Sequence, residues 1–232
     1  MLAGLTVSLG KTPRLVEQGF MSIVGSILYA SAMTRPDISF HTAFLAKLMS
    51  TPSPAALDAA LGIVKRTRKL GITYGSDENL VLYTDSSWGN ENPRPMAGYA
   101  SCYGGAALSW AAKSLKIVPL SSAEAESAVF SLGCKDAMFI KQLLAEIRPK
   151  ATPQIVINAF IDNTAAIDIV KSHGASGRTK HFERWITYVR NLYQRKIVLV
   201  SHLKTDEMPA DIFTKPLPYL TFTKFRRVLL GM

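Results

Sequence analysis

The sequence contains very little cysteine and relatively few acidic residues, and both shortages limit what the protein can be. Its two cysteines, Cys102 and Cys134, have no Cys-x-x-Cys or Cys/His ligand spacing around them, which argues against a disulfide scaffold and against a zinc site. Lysine and arginine number 27 against 17 aspartates and glutamates, so the formal net charge is +10 at pH 7. This excess favours a polyanionic partner, with nucleic acid first and an anionic membrane a distant second.

Long apolar runs are also missing from the sequence. The longest, around residues 20–33, covers about 14 residues and includes serine and glycine, whereas a helix that crosses a bilayer needs roughly 20 apolar residues. No positive stretch precedes the apolar N-terminus and no clear small-residue cleavage site follows it, so we do not expect a secretory signal. The remaining composition, 48% hydrophobic and 19% charged, favours a globular protein that stays inside the cell.

Residues 1–71 predict a segment of three helices. Breaks occur at 34–36 and at 50–54, where proline is joined by serine or threonine. The third helix should begin with Ser53 as its N-cap and Pro54 in its first position, and should end in the basic sequence KRTRK before Gly71.

From Ile72 onward the pattern becomes that of strands. NLVLYTD, AGYASCYG and AALSWA are short, rich in strand-forming residues and separated by glycine, proline or asparagine, which predicts three consecutive antiparallel strands. A helix over about 122–147, a strand QIVINAFID and a helix through Val170 follow. A basic helix near 180–194, a strand KIVLVSHL and one or two helices after Met208 complete the chain. This order predicts an α/β fold whose sheet has mixed direction.

Two aspartates end apolar strands. Asp85 closes LVLYTD and Asp162 closes IVINAFID. Buried apolar strands tend to lie centrally and parallel, so neighbouring strands at about 4.8 Å spacing would bring these carboxylates together. They would repel each other unless a cation lay between them, and such oxygen ligands suit Mg²⁺ or Mn²⁺. Taken singly, each aspartate could merely cap the next turn or helix.

The helix opening SSAEAES offers a third acid, for which two glutamates compete. Ser121 and Glu124 form a capping box, which is a sufficient structural reason for Glu124. Glu126 lies in helical register with the apolar stripe that faces the sheet, where an acid is costly unless it is paired or bound to metal. We therefore favour Glu126 as a ligand and keep Glu124 as the alternative.

A fourth acid and a histidine come near the end of the chain. Asp211 in MPADIFTK is the candidate, with Asp206 and Glu207 as competitors that could face solvent or cap the last helix. His202 ends KIVLVSHL and could assist catalysis or product release, although a histidine there is more often structural. Three or four carboxylates without a Cys/His cluster favour a two-metal phosphoryl-transfer site over a zinc hydrolase. The sequence has neither G-x-S-x-G nor G-x-x-x-x-G-K-[ST], so serine-nucleophile chemistry and nucleotide triphosphate use are not expected.

A basic segment covers residues 178–196 and contains a single acid, Glu183. We interpret it as a contact to a nucleic-acid backbone, and a solvated helix face is the alternative. The residues concerned are Arg178, Lys180, Arg184, Arg190, Arg195 and Lys196.

Taken in order, six blocks closely resemble the ribonuclease H domain of copia-type retrotransposons: YTDSSW, ALSW, LSSAEAES, FIDNTAAI, GRTKHFER and ADIFTKPLP. The stretch VGSILYASAMTRPDISF looks like the connection that follows reverse transcriptase in the same Pol polyproteins, so the resemblance covers roughly residues 15–218. It implies hydrolysis of the RNA strand of RNA/DNA hybrids during reverse transcription, with two Mg²⁺ ions, or Mn²⁺ in their place. It also implies reverse transcriptase as a partner and a place in the cytoplasm, in a virus-like particle, or in the nucleus.

The resemblance also assigns residues and boundaries. Asp85, Glu126, Asp162 and Asp211 match the four metal-binding acids of the family, and His202 matches the histidine in the loop before the last acid. The implied division is a helical connection over 1–71, a ribonuclease H-like domain over 72–218 with a mixed sheet flanked by helices, and a C-terminal helical tail over 219–232.

The chain departs from the family pattern at two blocks. TDSSWGNENPRPMAG replaces SDADWAG and a basic RKSTSG, so that Ser87 stands where a second acid is usual, and HFERWITYVR replaces HIDIRYH. No polymerase motif is present, so we expect a fragment or the product of a truncated element. The alternatives are a catalytically silent, decayed or domesticated remnant that binds nucleic acid, and an integrase-type or resolvase-type member of the fold that acts on DNA.

Overall fold

A five-stranded sheet of mixed direction lies at the centre of the chain. The computed structural model describes residues 14–88, 95–148, 155–172 and 183–232, with side chains from Gly19 onward. The strands are β1 (Leu80–Ser86), β2 (Met96–Tyr103), β3 (Ala106–Ser114), β4 (Ile157–Ile161) and β5 (Val198–His202). The helices are α1 (Arg14–Met33), α2 (Ser39–Lys47), α3 (Pro54–Thr67), α4 (Ser122–Ile147), α5 (Thr164–Lys171), α6 (Glu183–Gln194) and α7 (Tyr219–Leu230).

The strand order in the sheet is β3-β2-β1-β4-β5. β1 and β2 are antiparallel, as are β2 and β3, whereas β4 is parallel to both β1 and β5. The predicted mixed α/β sheet, with three antiparallel strands followed by parallel ones, is therefore confirmed.

The central strand β1 is apolar because both of its faces are covered. Leu80 and Leu82 pack with α4 in one core cluster, while Val81 and Tyr83 pack on the opposite face with Phe225 of α7. Successive side chains of a strand point to opposite faces, so this alternation places α4 and α7 on opposite sides of the sheet. Asp85, near the end of β1, is thus held between two layers of packed helices.

The N-terminal helices α1, α2 and α3 form a separate apolar cluster that contacts the edge of the sheet. Phe20, Leu45 and Ala60 belong to its buried residues. Ser53 caps α3 by accepting a hydrogen bond from the Ala56 amide at 3.2 Å, as its position predicted. Helix α1 is joined to β3 because the Trp110 indole donates to the Ser31 carbonyl at 2.8 Å.

The C-terminal helix α7 packs against the same sheet. Phe225 and Leu229 are fully buried in the cluster beneath β2 and β3, and the Thr73 amide donates to the Leu230 carbonyl at 2.8 Å. The division of the chain at residues 71 and 218 stays a prediction. Within the described ranges, no helix combines the length and the apolar character needed to cross a membrane.

Candidate metal centre

Three aspartates meet at one edge of the sheet. One ligand atom from each of Asp85, Asp162 and Asp211 lies within 4.8 Å of the other two. Asp85 belongs to β1, and Asp162 follows β4, which runs parallel beside it. Asp211 lies in the 3₁₀ turn Pro209–Phe213. The structure thus brings together three of the four predicted acids: Asp85 and Asp162 because neighbouring parallel strands end at the same edge, and Asp211 through the turn that carries it.

The two competing glutamates of α4 have different surroundings. The Glu124 carboxylate accepts from the Leu120 amide at 2.8 Å, and the Glu124 amide donates to Ser121 Oγ at 3.2 Å, which is the predicted N-terminal cap. Glu126 Oε1 accepts from the amide and the hydroxyl of Ser86, at 3.0 and 2.8 Å. The second oxygen of Glu126, Oε2, is buried and has no hydrogen-bond partner among the described residues. Ser86 directly follows Asp85 in β1. Its hydrogen bonds with Glu126 therefore hold the Glu126 carboxylate beside the three aspartates.

A glycine lets α4 approach β1 closely enough to place Glu126 there. A Cβ atom added at Gly133 would lie 2.8 Å from Thr84 Cγ2 and 3.0 Å from Leu82 Cδ1, closer than van der Waals contact allows. Any larger residue at 133 would push α4, and Glu126 with it, away from the strand.

A second glycine brings the Asp211 turn against the sheet. Gly98 of β2 is the register partner of Asp85. A Cβ atom there would lie 2.7 Å from Thr214 Cγ2, 2.8 Å from Phe213 Cβ and 2.9 Å from the Ala210 carbonyl. The turn after Met208 therefore lies directly on the strand, and the Thr214 hydroxyl donates to Asp85 Oδ2. Gly98 and Thr214 were not found from the sequence; a glycine inside a strand was the one available signal for a close backbone approach.

The pKa values of three of the four acids are raised, even though the Lys215 ammonium group lies beside them. Burial raises the pKa of Asp85, with the charge of Asp162 adding to the effect. Burial, followed by the charge of Asp85, raises the pKa of Glu126 well above its ordinary value, and the same two causes raise the pKa of Asp211 to about 7. Buried carboxylates that repel one another in this way are expected at a site that binds a cation.

The donor set fits a hard divalent cation. All four acids supply oxygen, the ligand atom that Mg²⁺ and Mn²⁺ prefer. Two of their oxygens, Glu126 Oε2 and Asp211 Oδ1, are buried without a hydrogen-bond partner in the described part of the chain. Buried carboxylate oxygens of this kind are costly unless they bind something, so the residues present are suited to a metal.

The substitution Gly98→Ala should damage this site. The added methyl group must displace the turn that carries Asp211 and Thr214, so the free energy of unfolding should fall by about 1–3 kcal/mol and binding of Mn²⁺ should weaken. Urea unfolding and a Mn²⁺ titration measure the two effects. Gly62→Ala is the matched control, since a Cβ atom at Gly62 in α3 meets nothing within 4 Å and alanine should stabilise the helix. Equal behaviour of the two variants would contradict the close-approach argument.

The metal-free protein should lose stability as the pH rises through the range set by Asp211. The pKa of Asp211 is about 7 in the folded protein and near its ordinary value of about 4 in the unfolded chain. The folded state therefore binds more protons between these values, so the stabilisation is complete below about pH 4 and disappears as the pH rises through about 7. Urea unfolding in EDTA across this range measures the decline. Asp211→Asn should flatten it, and an equally steep decline in that variant would contradict the assignment.

The histidine and the competing acids lie around the cluster. His202 is exposed at the end of β5, and its Nε2 is 3.2 Å from the Asp162 carbonyl oxygen. The Thr205 hydroxyl donates to Asp162 Oδ2 at 3.0 Å, which orients that carboxylate. Asp206 and Glu207 are exposed in the turn Thr205–Glu207, and the three-aspartate group does not include them. The catalytic roles of Asp85, Glu126, Asp162, Asp211 and His202 stay predictions.

The predicted basic contact residues fall into three groups. Arg178 and Lys180 lie outside the described residues, whereas Arg184, Arg195 and Lys196 are exposed on α6 and directly after it. The guanidinium of Arg190 instead donates to the Ile169 carbonyl at 2.9 Å and to Ser172 Oγ at 2.7 Å. Arg190 thus ties α6 to the end of α5, and binding of these residues to nucleic acid stays a prediction.

A mixed sheet with strand order β3-β2-β1-β4-β5 and acids at the ends of β1 and β4 defines a ribonuclease H-like fold. The sequence is 30% identical over 221 residues to the retrovirus-related Pol polyprotein from transposon TNT 1-94 of Nicotiana tabacum, covering 92% of this chain and 16% of that protein. It is 31% identical over 213 residues to the corresponding polyprotein from transposon RE1 of Arabidopsis thaliana, covering 89% of this chain and 14% of that protein. The chain belongs to the copia-type retrotransposon Pol polyproteins, of which it spans a small part.

Protein-family models and solved structures do not change this assignment. No protein-family model matches the chain. Among solved structures, LC11-RNase H1 in complex with an RNA/DNA hybrid is similar with a TM-score of 0.41 and 12% identity, covering 59% of this chain and 94% of that one.

Proposed function

We propose that this chain is the ribonuclease H part of a copia-type Pol polyprotein and hydrolyses the RNA strand of RNA/DNA hybrids in a metal-dependent reaction. The observation that carries the proposal is the convergence of Asp85, Asp162 and Asp211 at one sheet edge, with the buried Glu126 beside them. The relationship to Pol polyproteins over about 90% of the chain supports it.

Asp85, Asp162 and Asp211 would hold the metal together with Glu126, and we propose two Mg²⁺ ions, which Mn²⁺ can replace. Such ions, when bound, supply activation of a water molecule and stabilisation of the leaving 3′ oxygen. The chain's own hydroxyl groups orient the acids: Thr214 donates to Asp85 and Thr205 to Asp162. Carboxylates fixed by such partners need less rearrangement when a ligand arrives.

His202 is the group proposed to move a proton or to assist product release. Its ring is exposed beside the Asp162 carbonyl oxygen, and an imidazole has one nitrogen that can donate a proton and one that can accept one. Its exposure gives it access to solvent at the edge where the acids meet.

The proposed substrate is a hybrid, and the proposed protein partner is the reverse transcriptase part of the same polyprotein. The RNA strand would be distinguished by its 2′-hydroxyl groups. Contacts mostly to the backbone predict weak sequence preference. A role in reverse transcription implies work in the cytoplasm, in a virus-like particle, or in the nucleus.

Cleavage of end-labelled duplexes by the purified chain tests the proposal. With Mg²⁺ we expect the RNA strand of an RNA/DNA hybrid to be cut into products with 5′-phosphate and 3′-hydroxyl ends, and EDTA to stop the reaction. Duplex RNA and duplex DNA should remain intact. Cutting of duplex DNA would favour an integrase-type or resolvase-type activity. Hybrid binding without cutting by the folded chain would favour a catalytically silent remnant.

The exposed basic residues of α6 provide a further prediction. The triple variant Arg184/Arg195/Lys196→Ala should make hybrid affinity less dependent on salt. The slope of log K against log[salt] should become shallower by about 1 for each phosphate that the variant no longer neutralises. Arg190 is left intact because its side chain bonds to α5. Its substitution would disturb the packing of α6, and that damage could not be distinguished from weaker phosphate binding.

Fluorescence anisotropy over a range of salt concentrations measures this slope. A charge-matched control is Lys65/Arg68/Lys69→Ala, three exposed residues in the last turn of α3 and directly after it, which should leave the slope near its wild-type value. Equal slope changes in both triple variants would show a nonspecific effect of net charge and contradict a binding surface on α6.

A further inference from the structure

A lysine side chain lies against the three aspartates. Lys215 Nζ is 2.9 Å from Asp211 Oδ2, and its charge also interacts with Asp85 and Asp162. The side chain of Lys215 is 38% exposed, whereas that of Asp211 is 3% exposed. The acidic cluster therefore already contains one positive charge, carried by a side chain that reaches solvent.

The local backbone explains how the lysine reaches the cluster. Lys215 follows the turn Pro209–Phe213, and the Lys215 amide donates to the Asp211 carbonyl at 3.2 Å. This helical spacing places side chains four residues apart on one face, so the ammonium group folds back over the Asp211 carboxylate. A charge-assisted hydrogen bond of this kind is stronger than a neutral one.

In the metal-free protein, the ammonium group of Lys215 lowers the cost of placing the carboxylates close together. Several carboxylates buried together are costly unless opposite charge is near them. An ammonium group on a flexible four-carbon stem supplies that charge without fixing the geometry. Because this side chain is 38% exposed, rotation about its own bonds gives its ammonium group a route to solvent.

We propose that Lys215 is the resident counter-cation of the acidic cluster: it balances the aspartates in the metal-free protein and is displaced when a divalent metal binds. The inference rests on the proposed function, since it concerns the metal site of that function. Lys215 and the metal compete for the negative charge of the same carboxylate: Lys215 is bonded to Asp211 Oδ2, and Oδ1 of the same group has no hydrogen-bond partner among the described residues. Lys215 is thus a positioning residue that lets the site fold before metal arrives and lowers the affinity for metal.

Two substitutions separate this role from a merely structural one. Lys215→Met keeps the length of the side chain and removes its charge, and Lys215→Arg keeps the charge. Mn²⁺ titration should give a dissociation constant about tenfold lower for Lys215→Met than for wild type, which corresponds to about 1.4 kcal/mol. Lys215→Arg should not bind Mn²⁺ more tightly than wild type. In EDTA, Lys215→Met should melt at a lower temperature, and Mn²⁺ should raise its melting temperature by more than that of wild type.

The sign of the effect makes the test decisive. A substitution that only damaged the fold would weaken Mn²⁺ binding, whereas removal of a competing cation strengthens it. Equal or weaker binding by Lys215→Met overturns the inference, and if wild type still binds Mn²⁺ and cuts hybrid, the proposed function stands. Binding by Lys215→Met but not by wild type supports the inference and counts against the proposed function. Binding by neither protein overturns both.

Discussion

Asp85→Asn should reduce hybrid cleavage by at least about 100-fold without reducing the stability of the metal-free protein. The substituted amide keeps an oxygen that can accept the Thr214 hydrogen bond, so the local packing should survive. The negative charge that raises the pKa of Asp211 and Glu126 disappears, so repulsion within the cluster falls. Loss of activity at unchanged or increased stability distinguishes a functional acid from a structural one.

Cleavage rates in Mg²⁺ and melting temperatures in EDTA measure the two halves of this prediction. Asp206→Asn is the matched control, because Asp206 lies in the neighbouring turn with an exposed side chain and outside the aspartate group. It should keep nearly full activity. An active Asp85→Asn protein, or one that is inactive because it no longer folds, would contradict the proposed role of Asp85.

Asp37→Ala should lower the free energy of unfolding by about 3–5 kcal/mol. The Arg35 guanidinium donates to both oxygens of Asp37, each at 2.8 Å, and also to the Thr67 carbonyl at 2.7 Å. Both side chains are buried, with 8% exposure for Arg35 and 0% for Asp37. Removing the carboxylate leaves a buried charge without its counter-ion, which costs more than the ion pair contributes. The pair joins the end of α1 to the end of α3.

Urea unfolding measures this effect, and a double variant provides the control. Arg35→Met/Asp37→Leu removes both charges together and should recover most of the stability, because apolar residues of similar size can replace a buried ion pair. A decrease below about 1 kcal/mol for Asp37→Ala would mean that the pair behaves like an exposed one, contrary to its burial.

The fold and the placement of three of the four acids follow from local patterns in the sequence. Asp85 and Asp162 could be brought together in advance, because strands with apolar runs lie side by side and end at one edge. The choice of Glu126 over Glu124 as the acid next to the cluster also followed from the sequence. A capping box explains Glu124, and helical spacing places Glu126 toward the sheet, where Ser86 contacts it.

The remaining features depend on packing between distant segments. Residue patterns alone do not separate Asp211 from Asp206 and Glu207, because the turn after Met208 decides which side chain enters the cluster; only the family resemblance of ADIFTKPLP singled out Asp211. Gly98 and Thr214 meet only when the turn lies on β2. These two residues are more than 100 positions apart, and no periodicity in a single segment encodes their approach.

The basic segment illustrates the same limit for charged residues. Its arginines and lysines form one run in the sequence, and nothing within the run distinguishes one of them from another. In the structure, Arg190 bonds to α5, whereas Arg184 and Arg195 are exposed. The difference arises because α6 turns one side toward α5 and the other toward solvent.

Crystals of the chain soaked in Mn²⁺ and measured at the manganese absorption edge would locate the metal directly. The account predicts anomalous peaks between Asp85, Asp162 and Asp211, with Glu126 as a further ligand and with Lys215 Nζ no longer bonded to Asp211. The peaks should disappear in Asp85→Asn crystals treated in the same way. Manganese bound elsewhere, or an acidic cluster that stays without metal at millimolar Mn²⁺, would contradict a metal-dependent ribonuclease.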